Sequence, residues 1–193
     1  MSAPAAPIEP GSSYAKPFEL LAACHERILR SLALLQRLLE HLGGSAGADA
    51  SARSAASDLL RYFDLAAPLH HLDEERHVFP PLEAGPDPGL HQACERLRED
   101  HRQMAAQWQD LRAPLLRVQA GQMPDELPHF AAQAQAFARL HEQHLRTEET
   151  LVFPSAQARL EGQDLLGAMS EMGAEMAARR GLRLNVSTGP GSR

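Results

Sequence analysis

The stretch HHLDEERHVFP, from His70 to Pro80, recurs in pattern as HLRTEETLVFP, from His144 to Pro154. Laid over one another without a gap, they match His70 with His144, Glu74 with Glu148, Glu75 with Glu149, Val78 with Val152, Phe79 with Phe153 and Pro80 with Pro154. Residues four apart on an α-helix are offset by about 40° and 6 Å along the axis. Each His-x-x-x-Glu pair therefore occupies one face of a helix, and the fold has to accommodate such a face twice.

The sequence around the repeat is helical in period. Phe18, Leu21, His25, Ile28, Leu32, Leu35, Leu39 and Leu42 recur at three and four residues and predict a first helix over 17–42, opened by Pro17 and stopped by Gly43-Gly44. A second helix is expected from Asp49–Ser51 to about 79, with Leu60, Phe63, Ala67, His70, Glu74 and His77 on one face. Pro68 lies inside it and should kink it, or break its hydrogen-bond ladder, just before His70. After the loop PPLEAGPDPG, Asp87-Pro88 supplies a cap and a first-turn proline for a third helix over 88–119, with Cys94, Leu97, His101, Met104, Trp108, Leu111 and Leu115 on its stripe. A fourth helix is expected over 126–159, with Phe130, Ala134, Phe137, His141, His144, Glu148 and Leu151 facing inward.

Four long helices on short loops predict an all-α fold, an up-down-up-down four-helix bundle. Residues 17–160 would form the bundle, 1–16 a disordered leader, 161–182 an additional C-terminal helix and 183–193 a flexible tail. The last helix could fold back on the bundle or mediate a homodimer. The chain reads as two related helical hairpins, because His25 precedes His70 by nearly the interval that separates His101 from His144, and Phe63 and Phe137 each stand seven residues before the paired histidine.

Composition narrows the function classes. The 193 residues are Ala- and Leu-rich with 5% aromatics and a net charge of −6, without the basic stripe of a nucleic-acid-binding protein. No apolar run approaches a membrane span, and the first residues lack the basic start and apolar core of a secretory signal. Cys24 and Cys94 make no disulfide framework, and a cytoplasmic location is expected. The ten histidines are the anomaly.

If the stripes are right, His25, His70, His101 and His144 and the carboxylates of Glu74 and Glu148 all aim at a dry core. Buried carboxylates without compensation are costly, and two of them repel. A pair of cations relieves both problems: each carboxylate can bridge two ions, and each imidazole can bind one through a neutral nitrogen. Imidazole with carboxylate suits iron, manganese or zinc, with no thiolate placed for a softer metal. Six protein ligands over two ions leave open positions for a bridging oxygen and a small exogenous molecule. His77 and His141, on nearly the same faces, are candidates for a fifth ligand, a proton donor or the lining of a pocket mouth. His71 rivals His70, since Glu75 follows it by four, but the overlay sets Leu145 opposite it. Glu75 and Glu149 are expected to lie around the site or on the surface, Asp100 outside the core, and His41, His91 and His129 on the surface. Ferritin-like di-metal proteins use lone Glu and Glu-x-x-His instead.

The segments CHERI around His25, HHLDEERHVFP, EDHRQM around His101 and HLRTEETLVFP resemble the hemerythrin-like, or HHE cation-binding, domain family over about residues 17–158. The resemblance implies a non-haem di-iron centre in a four-helix bundle, with His25, His70, His101 and His144 as terminal ligands and Glu74 and Glu148 as bridges. Oxygen-carrying hemerythrins have a fifth histidine and an Asp as the second bridge. This chain has Glu148 there and is closer to the four-His, two-Glu members, which resemble iron-centre repair proteins, although residues 1–16 hold no cysteine like the one in those proteins' extra N-terminal domain. Two functions are implied: binding dioxygen or nitric oxide for sensing, storage or delivery, or an enzyme acting on peroxide, nitric oxide or ferrous iron.

Overall fold

The computed structural model describes residues 17–44 and 47–161. The expected leader, the C-terminal helix beyond Glu161 and the tail lie outside the described residues. Among the described residues all regular structure is helical. The first helix, α1, spans Pro17–Gly43. The second, α2, runs continuously over residues 50–83 as Ala50–Arg61, a π-helical turn at Tyr62–Ala66, Ala67–Asp73, a second π-turn at Glu74–Val78, and Phe79–Glu83. The third, α3, spans Pro88–Gln119. The fourth, α4, runs over residues 127–161 as Leu127–Thr147, a π-turn at Glu148–Val152, and Phe153–Glu161. Helices α1 and α3 each pack against both α2 and α4.

Local chemistry sets the helix starts. The Asp49 carboxylate accepts from the Ala52 N–H at 2.9 Å, and that of Asp87 from the Gly89 N–H at 2.8 Å, each covering a donor that the first turn leaves unpaired. At the end of α3, Gly121 takes φ +79°, and the chain turns with Gln122 N–H donating to Arg117 O at 2.9 Å.

The π-turns correct the sequence expectation at three places, and they share a cause. In each, the first residue after the turn donates its N–H five residues back: Ala67 to Tyr62, Phe79 to Glu74, and Phe153 to Glu148. The next residue is always proline: Pro68, Pro80 and Pro154. A proline has no N–H to donate, and its ring collides with the carbonyl four residues back. A turn widened to i→i+5 moves that carbonyl away and inserts one residue. Pro68 thus widens the helix ahead of it rather than breaking it. Pro114 lies within α3 with no widened turn, so proline alone is not sufficient. The inserted residue also shifts the stripe. Leu151, expected inward, is 41% exposed, and Val152 is fully buried instead. Pro80–Glu83, expected as loop, continue α2.

Two apolar clusters fill the interior at different depths. One contains Ile28, Leu32, Phe63, Met104, Trp108, Leu111 and Phe137, and the other Leu21, Val78, Phe79, Leu97, Val152 and Phe153. Each fully buried Leu, Val or Phe contributes about 1.5–3 kcal/mol relative to leaving it in water. Those contributions offset what lies between the clusters, a layer of buried His25, His70, Glu74, His101, His144 and Glu148.

Candidate metal centre

The paired motifs bring their side chains to this layer because α2 and α4 enter it just ahead of their π-turns. His70 and His144 stand one turn before Glu74 and Glu148, the first residues of those turns. Helices α1 and α3 deliver His25 and His101 from their buried stripes. None of the six is more than 5% exposed.

The contacts divide into two halves that share the carboxylates. Glu74 Oε1 lies 3.2 Å from His70 Nε2 and 3.7 Å from His25 Nε2, while its Oε2 lies 3.6 Å from His101 Nε2. Glu148 Oε2 lies 3.2 Å from His25 Nε2, and its Oε1 lies 3.0 Å from His144 Nε2. Each carboxylate thus turns one oxygen to the His25–His70 side and the other to the His101–His144 side. Ligand atoms of His25, His70, Glu74 and Glu148 lie within 4.8 Å of one another, and so do those of Glu74, His101, His144 and Glu148.

Hydrogen bonding does not account for this layer. His25 Nε2, His70 Nε2 and all four oxygens of Glu74 and Glu148 are buried without a hydrogen-bond partner. Their short contacts lack the angles of hydrogen bonds. On the other side His101 Nε2 and His144 Nε2 lie 3.1 Å apart, within hydrogen-bond reach of each other. Orphaned polar atoms inside a protein cost several kcal/mol each. Cations held by these two groups of ligand atoms would satisfy the orphaned atoms, so the donor set fits metal ions. Its imidazole and carboxylate chemistry suits iron, manganese or zinc. Cys94, packed in the apolar cluster, has its thiol pushed up to about 11 by burial and then by Glu83, which argues against a thiolate there.

Protons compensate part of the carboxylate charge in this layer. Burial disfavours an imidazolium at His25, but Glu148 and Glu74 outweigh it and hold its pKa up to about 10. Burial likewise opposes charge on His144, and Glu148 with Asp100 raises it to about 10. Glu74 and Glu148 are held below the usual carboxylate range, since the surrounding imidazoles overcome both their burial and, at Glu74, the repulsion of Glu148. Burial drives His70 the other way, downward.

A further set of carboxylates orients the imidazoles. Glu75 Oε1 accepts from His101 Nδ1 at 2.7 Å, and Glu149 Oε1 from His25 Nδ1 at 3.0 Å. The second Glu of each tandem thus reaches a histidine on a neighbouring helix and leaves Nε2 facing the layer, the arrangement that fixes tautomer and ring direction in metal sites. Successive residues of an i→i+5 turn are rotated by less than the 100° of an α-helix, which helps both members of each Glu pair reach the same region. Asp100, expected outside the core, is half-buried, with Oδ2 3.3 Å from His144 Nδ1.

His77 is half-buried and in neither group of ligand atoms. His141 is buried but also outside both; its Nδ1 donates to Phe137 O at 2.9 Å, and burial takes its pKa down to about 4. His71 does not join the ligand atoms either: its ring stacks on His101 at 4.0 Å with an interplanar angle of 10°. Asp73, which no sequence signal singled out, is 1% exposed. His41 and His91 are half-buried; His41 Nε2 lies 3.0 Å from Asp49 Oδ1, and His91 Nε2 bonds Gly85 O at 2.7 Å. A cavity of about 170 Å³ opens between α2, α3 and α4, one turn from the layer, with Phe63, Met104, Trp108, Phe137, His71 and His141 in its wall.

The family model for the hemerythrin HHE cation binding domain matches residues 16–172. The chain is also similar to an uncharacterized protein of Haemophilus influenzae, 30% identical over 174 residues that cover 88% of this chain and 92% of that protein.

Proposed function

The chain belongs to the hemerythrin HHE cation-binding domain family, and from that premise we propose that it holds two iron ions and binds a small diatomic ligand, dioxygen or nitric oxide, for sensing, storage or delivery. The observation that carries the proposal is the split of each buried carboxylate between two histidine pairs. His25 and His70 would hold one ion and His101 and His144 the other, with Glu74 and Glu148 available to both. Manganese or zinc would satisfy the same donors, and iron would add the redox chemistry that binding dioxygen or nitric oxide draws on. Glu75 and Glu149 keep His101 and His25 aimed inward. The adjoining cavity joins an apolar wall of Phe63, Met104, Trp108 and Phe137 to the titratable groups of Asp64, His71 and His141, so it offers room for a small ligand beside the layer.

The ring of contacts among α1, α2, α3 and α4 supports an up-down-up-down bundle over residues 17–160 as the unit that holds the site. No described helix is long and apolar enough to cross a membrane, and a cytoplasmic location belongs to the same reading.

The test is anaerobic loading with ferrous iron, metal analysis, and absorption spectra after adding dioxygen or nitric oxide. The expected result is two ions per chain and new absorption bands with one of the gases. Less than one ion per chain would remove the metal reading. Two ions with no response to either gas would remove the ligand reading.

A further inference from the structure

The two halves of the molecule repeat each other at the ligands and diverge one turn away. His25 corresponds to His101, His70 to His144, Glu74 to Glu148 and Glu75 to Glu149. On the same overlay, His71 corresponds to Leu145, His141 to Ala67, Met104 to Ile28 and Trp108 to Leu32. Leu145, Ile28 and Leu32 are buried in the apolar core. The counterparts of these and of Ala67, namely Met104, Trp108 and His141 from the second hairpin and His71 from the first, are two imidazoles, a thioether and an indole, and a cavity of about 170 Å³ lies among them. Near one histidine pair the duplicated frame is packed with Ile28, Leu32 and Leu145, and near the other it is lined by larger polar and aromatic groups around an opening.

The opening is larger than a diatomic ligand requires. A cavity of about 150 Å³ holds a benzene molecule. The walls suit a flat ring: Phe63 lies 4.9 Å from Trp108 and 5.1 Å from Phe137, centroid to centroid, with Met104 beside them. The polar lining is His71, His141, Gln109 and Asp64, and the Asp64 carboxylate is already engaged, accepting from Trp108 Nε1 at 2.9 Å and Arg112 Nε at 3.0 Å. His141 gives its Nδ1 proton to the Phe137 carbonyl at 2.9 Å, so its Nε2 carries the lone pair. His71, held flat against His101, has a buried Nε2 with no hydrogen-bond partner. With Asp64 occupied by Trp108 and Arg112, a mainly aromatic wall with an acceptor at His141 selects a neutral molecule that carries a donor.

We infer that the cavity between α2, α3 and α4 is a binding site for a neutral one-ring aromatic molecule bearing a hydroxyl or ring N–H, which donates to His141 Nε2 while its ring lies among Phe63, Trp108 and Phe137. The site lies beside His101, and the corresponding positions near His25 carry Ile28, Leu32 and Leu145. It is built from side chains that do not belong to the six-residue layer, so it does not depend on the metal reading.

Phenol is the probe and anisole, its methylated counterpart without a donor, is the control. Trp108 is the only tryptophan in the chain and reports directly from the wall. Phenol added to the full chain, metal-free and iron-loaded in parallel, should change the Trp108 fluorescence saturably at one molecule per chain. Anisole should bind about fivefold more weakly, the factor one neutral hydrogen bond supplies. Ala105→Phe, at an exposed position on the cavity rim, should abolish the response, and His141→Phe should equalise the two probes. The inference is overturned if the response does not saturate, if Ala105→Phe leaves it unchanged, or if wild-type protein binds both probes equally. Ala105→Phe and the anisole comparison decide the matter even if His141→Phe does not fold. Failure to load iron would leave the metal-free titration to decide.

Discussion

Replacing Glu75 by Gln tests whether the outer carboxylates support the centre. Glu75 Oε1 receives the His101 Nδ1 proton at 2.7 Å, and its side chain is 37% exposed, so neutralising it leaves no buried charge without a partner. Gln keeps an acceptor oxygen of similar reach. What is lost is the difference between a charge-assisted and a neutral hydrogen bond, about 1–1.5 kcal/mol, reduced somewhat by solvent screening. That corresponds to about a fivefold to tenfold weaker hold on one ion, near the lower end of what loss of such outer partners costs. Glu149→Gln should cost less, because its contact with His25 is longer at 3.0 Å and its side chain is 55% exposed. Stepwise dissociation constants from competition against a chromogenic zinc chelator would measure both variants. The expected pattern is one weakened constant in each variant, with the larger loss in Glu75→Gln. The reasoning fails if both constants stay within twofold of wild type, or if Glu149→Gln suffers the larger loss.

The metal-free chain should lose stability to urea as pH rises from 7 to 10. The raised pKa values of His25 and His144, about 10, contribute stability that is complete below about pH 6.5 and lost as pH passes through the folded value. Iron or zinc loading should flatten that alkaline limb and release protons at pH 7, detectable by calorimetry in buffers of different ionisation enthalpy; an unchanged limb would count against ion binding at these histidines. On the acid side, His141 is held down to about 4, so its contribution is present above about pH 6.5 and disappears as pH falls towards 4, and His141→Phe should shallow that limb. Leu97→Ala, at a fully buried position beneath the layer, should cost about 2–5 kcal/mol in urea unfolding. Asp87→Ala removes the carboxylate that accepts from Gly89 and Leu90 and should cost about 1 kcal/mol without altering metal content.

The helices and the inner layer were legible in the sequence because both depend on local spacing. A period of 3.6 residues puts His70 with Glu74 and His144 with Glu148 on single faces, and puts His25 and His101 on the buried stripes of α1 and α3. Asp87 and Pro88 marked a helix start for equally local reasons. Leu151 was misplaced because periodicity carries no record of an i→i+5 turn, and one inserted residue turns the stripe away. Only the tertiary structure decided that Glu75 meets His101, that Glu149 meets His25 and that Asp100 lies beside His144, in pairs 26, 124 and 44 residues apart. Those pairings follow from how far each helix is rotated about its axis and which helix it faces. The cavity beside His71 and His141 has the same origin: it exists because the side chains of three helices fail to fill the space between them, and only their assembly fixes that space.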